Sequence, residues 1–116
     1  MDKLTKKDLK DKYKNREVIG GIYRIICSAS GNFWLKSSVD MPSAKNRFAF
    51  AVNMNTFPEA GMLEDWKKFG AHSFSLEVLE EIKKKETQTE REFSDDVDLM
   101  LEIWTEKLEN STEGGI

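Results

Sequence analysis

The stretch GGIYRIICSASGNFWLKSS, residues 20–38, constrains this chain more than any other. Ile22 to Cys27 is rich in β-branched residues and reads as a strand. Ser28-Ala29-Ser30-Gly31-Asn32 follows, and Gly and Asn tolerate the positive φ of a tight turn. Phe33 to Ser37 returns as a second strand, so the whole stretch is a hairpin. Gly20-Gly21 at its front breaks a polar helical pattern over residues 3–15, in which Leu9 and Tyr13 lie four apart.

The segments that follow supply a third strand and the helices to cover it. Asp40 suits the N-cap of a helix running to about Val52, with Pro42 tolerated in its first turn. Thr56 and Glu59 have capping-box spacing before a second helix, whose apolar face is Met62, Leu63, Trp66 and Phe69. Gly70 is its stop. Phe74, Leu76 and Val78 alternate with polar residues, which predicts a half-buried strand. Residues 83–93 are charged and read as a mobile loop. Ser94-Asp95-Asp96 starts a last helix with the stripe Val97, Leu101, Trp104 and Leu108. The expectation is one α+β domain, a small three-stranded antiparallel sheet flanked by helices. Its core is expected to comprise Trp66, Phe74, Leu76, Val78, Leu101 and Trp104. Residues 1–17 are expected to form a basic N-terminal helix, 18–109 the domain, and 110–116 a flexible tail.

At 116 residues there is room for one modest core. No apolar run reaches the length of a membrane span, and the charged N-terminus lacks a signal-peptide h-region. The single cysteine, Cys27, sits in an apolar run and is expected to be buried and inert, which suits a cytoplasmic protein. The net charge of -3 is unevenly spread. Residues 1–16 carry seven basic and three acidic side chains, and residues 77–116 five basic and thirteen acidic. The acidic C-terminal part would repel phosphate, so strong non-specific binding to nucleic acid is not expected.

Three pieces of the chain resemble the GIY-YIG nuclease family. Gly21-Ile22-Tyr23 matches its first signature, SGNFWLKSS has the shape of the turn and second signature, and DWKKFGAHSFSLEVLEEI is similar to a stretch that many small members carry. The resemblance spans roughly residues 18–108. It implies a family activity of phosphodiester hydrolysis with one divalent metal, Mg or Mn. The parts it implies are two tyrosines, an arginine on the first helix after the hairpin, and a metal-binding glutamate on a later helix.

Carried over residue by residue, Tyr23 matches the first tyrosine. Trp34 stands at the second, and an indole offers only an N–H donor and cannot serve as a base. Lys36 stands at the signature glycine. The arginine position falls near Ala44, with Arg47 one turn further on, and the glutamate position falls on Leu101, with Glu102 adjacent and Glu106 on another side. His72, the only histidine, lies in a turn. Losing even one electrostatic contributor costs about 10²–10³ in rate. The expectation is a nuclease-like domain that has lost catalysis, needs no cofactor, and binds DNA or another protein. Tyr23, Trp34, Lys36, Lys45 and Arg47 are its candidate binding residues. The alternative is an active endonuclease using Tyr23, Arg47 and a metal on Glu102 or Glu106.

Overall fold

The computed structural model describes residues 17–114, with side chains described through Glu109. The N-terminal basic helix expected over residues 1–17 lies almost wholly outside the described residues. From Ile19 onward the elements are β1 (Ile19–Cys27), β2 (Phe33–Ser38), α1 (Met41–Met54), α2 (Leu63–Phe69), β3 (Phe74–Lys83) and α3 (Glu90–Gly114), with short 3₁₀ turns before and after α2. The three strands form one antiparallel sheet in the order β2-β1-β3, and this is an α+β architecture as expected.

The hairpin forms where its turn chemistry places it. Gly31 takes φ +80°, and its N–H donates to the Cys27 carbonyl at 2.8 Å. The turn is tied to α2 through Asp65, which accepts from Ser30 Oγ at 2.7 Å and Asn32 Nδ2 at 2.9 Å. The Asn32 amide, then the Ser30 hydroxyl, hold the Asp65 carboxyl below the usual aspartate range. Cys27 is fully buried, as its apolar setting predicts.

The core is not the single cluster that the sequence suggests. Side chains alternate across β1, so Tyr23, Ile25 and Cys27 face one way and Ile22 the other. The first face meets α1 and α2, where Met41, Met62, Trp66 and Phe74 are buried, and Leu76 and Val78 pack half-buried beside them. The second face meets α3 through Ile22, Phe93 and Val97. Leu101 and Trp104 belong to this second cluster and are only half-buried. A bulge lets β3 serve both. Tyr23 is opposite Val78, but Ile22 is opposite Glu80, so Leu79 is an extra residue and the alternation changes phase. Leu79 and Ile82 accordingly pack on the α3 side.

Helix boundaries follow their caps. Asp40 caps α1 as expected, accepting from the Ser43 N–H at 3.2 Å and the Ser43 hydroxyl at 2.8 Å. The helix ends at Asn55 in the left-handed region, φ 54°. The capping box expected at Thr56 and Glu59 is not formed. Glu59 has no side-chain capping bond, its carboxylate pairs with Lys36, and α2 begins only at Leu63.

The segment read as a mobile loop, 83–93, is instead the end of β3, a turn and the first turn of α3. The Glu92 N–H donates to Thr89 Oγ1 at 3.1 Å and the Thr89 N–H to Glu92 Oε1 at 2.8 Å, a reciprocal capping box. Those bonds, the Thr89 N–H first, lower the pKa of Glu92. The helix also stays helical past Asn110, to Gly114. Among the described residues, no helix is long and apolar enough to cross a membrane.

Candidate functional site

A cleft of about 790 Å³ opens between the β1–β2 face, α1 and the segment 56–59. Tyr23 on β1 forms part of its floor, and its side is fixed by the strand: Lys36 on β2 is its cross-strand partner and points the same way. The body of Tyr23 is otherwise core, with the residue 7% exposed. Arg47 on α1 reaches the same cleft and is exposed. The structure therefore brings Tyr23, Lys36 and Arg47 together.

It does not bring in the others. Trp34 is half-buried, its ring stacked on Phe74 with centroids 5.9 Å apart, and its indole lies against Gly61. It is a packed aromatic at the edge of the first core. Lys45 is exposed on another side of α1 and pairs with Glu81 of β3 at 3.8 Å. Glu102 and Glu106 are exposed on α3, and α3 packs on the opposite face of the sheet from Tyr23. Ala44, at the unshifted arginine position, does line the cleft, but it is buried and brings no polar group to it. His72 is exposed in the 3₁₀ turn after α2.

Sequence reasoning missed most of the cleft rim. Phe50 on α1 is 64% exposed and Phe57 in the loop beyond is 42% exposed, and both line the cleft. Met54, 58% exposed, lies one turn after Phe50 on the same side of α1. Glu59 is the only carboxylate lining the cleft among the described residues, and Lys36 Nζ sits 2.5 Å from it. Arg47 is the one basic residue of the lining without an ion pair among the described residues.

Among the described residues the cleft offers a divalent metal one carboxylate, Glu59. Hard cations take several oxygen ligands, and here one carboxylate is present and already neutralised by an ammonium group. Among the described residues, no group of three or more His, Cys, Asp or Glu is placed to hold an ion. The cleft offers an apolar rim for burial and, among the described residues, one guanidinium without an ion pair that can fix an anionic group.

Comparison of the chain with protein-family models, with curated proteins and with solved structures finds no match.

Proposed function

We propose that this chain is a GIY-YIG-like domain that has lost catalysis and contacts another protein through the cleft between β1 and α1. The fold-level support is the element order of hairpin, two helices, strand and helix, with Tyr23 and a helical arginine on one cleft. The observation that carries the binding reading is the state of the cations. Lys36 and Lys45 are each paired with a glutamate, while Phe50, Met54 and Phe57 are left exposed. A polyanion gains its affinity from many free cations, because each neutralised phosphate releases counterions. An apolar rim with one guanidinium fits a protein segment better.

The shared cleft of Tyr23 and Arg47 also favours the alternative, a metal-dependent endonuclease. That alternative needs a metal carboxylate, and its named candidates, Glu102 and Glu106, are on the far side of the sheet.

Titration of single-stranded and duplex DNA, followed by fluorescence anisotropy, separates protein contact from nucleic-acid contact. At physiological salt the expected binding is no tighter than the non-specific range of about 10⁻⁴–10⁻⁶ M. Tighter binding that disappears in Arg47→Ala would replace the protein-contact reading with a nucleic-acid one.

A further inference from the structure

The described residues leave a second apolar stripe uncovered, and it complements the first. On α3 the side turned from the sheet carries Leu99, 56% exposed, and Ile103, 46% exposed. Asp95, Glu102 and Glu106 fall on the same side by helical spacing, and all three are exposed. From Glu90 to Glu109 the helix holds eight acidic side chains against Arg91 and Lys107. By contrast, α1 holds Lys45 and Arg47 and no acidic residue. Arg47, Phe50 and Met54 line up along it at three- and four-residue steps, a stripe about 10 Å long at 1.5 Å per residue.

We infer that α3 of one copy of this chain docks into the cleft of a second copy. This rests on the protein-contact reading of the cleft. Leu99 and Ile103 of one copy meet Phe50, Met54 and Phe57 of the next, and Glu102 or Glu106 meets Arg47. Within one copy the two surfaces lie on opposite faces of the sheet and cannot meet. The contact between copies is therefore heterologous, head to tail, and each added copy presents a fresh cleft and a fresh α3. The acidity of α3 argues against the symmetric alternative, in which two α3 helices pair and like charges face each other. Glu102 and Glu106, useless to a metal beside Tyr23, acquire a partner in this arrangement.

Analytical ultracentrifugation of the full chain, from micromolar to millimolar, tests this. The wild-type mass should rise with concentration beyond a dimer, and less so at high salt. Phe50→Asp removes only the cleft and Ile103→Asp only the helix face. Both side chains are exposed, so both variants fold. Each alone should associate about tenfold more weakly or worse. Mixed in equal amounts, they should form a dimer of twice 13.4 kDa and nothing larger, because each copy keeps one intact surface. A wild-type chain that stays monomeric throughout overturns the inference. So does a mixture that stays monomeric, or a dimer indifferent to both substitutions. A monomeric chain that cleaves no DNA would leave the protein-contact reading standing. DNA cleavage that depends on the cleft would remove that reading as well.

Discussion

Phe93→Ala is expected to destabilise the domain by about 3–5 kcal/mol, the usual cost of removing a buried aromatic. Phe93 is the largest fully buried side chain between α3 and the sheet. It stands over Gly20, so close that a Cβ there would come within 3.0 Å of its ring. Gly20 offers no side chain to fill the space that a truncated Phe93 would leave. The loss is comparable with the whole stability of a small domain, about 5–15 kcal/mol. Urea unfolding reads it directly. Trp104→Ala should cost less, since Trp104 is half-buried and one of its contacts is a bond to Glu80 at the surface. Equal midpoints for the two variants would show that α3 is not anchored by its first turns.

Gly21→Ala is the second large effect. A Cβ at Gly21 would stand 2.2 Å from the Glu80 carbonyl oxygen, which is backbone in the neighbouring strand. Glu80 follows the bulge residue Leu79, so the tight approach belongs to the register shift that lets β3 serve both cores. Relief requires β3 to move against β1 in the middle of the sheet. Overpacking costs about 1–3 kcal/mol and occasionally more, and a backbone clash of this size belongs at the upper end. The entropy gained by replacing Gly, about 0.4–1 kcal/mol, does not offset it. Thermal unfolding and hydrogen exchange along β3 would report the change. A Gly21→Ala protein of wild-type stability would show that the bulge is not where the structure has it. The glycine of the Gly-Ile-Tyr stretch thus has a packing reason of its own, independent of any chemistry at Tyr23.

What could be read from the sequence was what is local. The hairpin turn, the Asp40 cap and the Gly70 stop each depend on a few adjacent residues, and each appears as expected. The two-sided core was not legible. It depends on one extra residue in β3, which only the pairing with β1 defines. Residues 83–93 were misread because their capping box is spelled in charged and polar letters, and Phe93 is a lone apolar signal among them. Thr56 and Glu59 made the opposite error, since the right spacing is no cap when Glu59 is drawn to Lys36. At the site, Tyr23 and Arg47 could be placed together by resemblance. Phe50 and Phe57 could not, because α1 is apolar on several sides and its pattern does not say which phenylalanine is left outside. Phe48 is half-buried and Phe50 is exposed, two residues apart.

The claim that catalysis is lost meets its most direct test in supercoiled plasmid incubated with the full chain and Mg²⁺ or Mn²⁺. Among the described residues the one carboxylate of the cleft is Glu59, which pairs with Lys36, and Glu102 and Glu106 lie across the sheet. The expected result is plasmid that stays supercoiled, with no difference among wild type, Tyr23→Phe and Arg47→Ala. Metal-dependent nicking by the wild type, lost in both variants while their folds remain intact, would contradict the account.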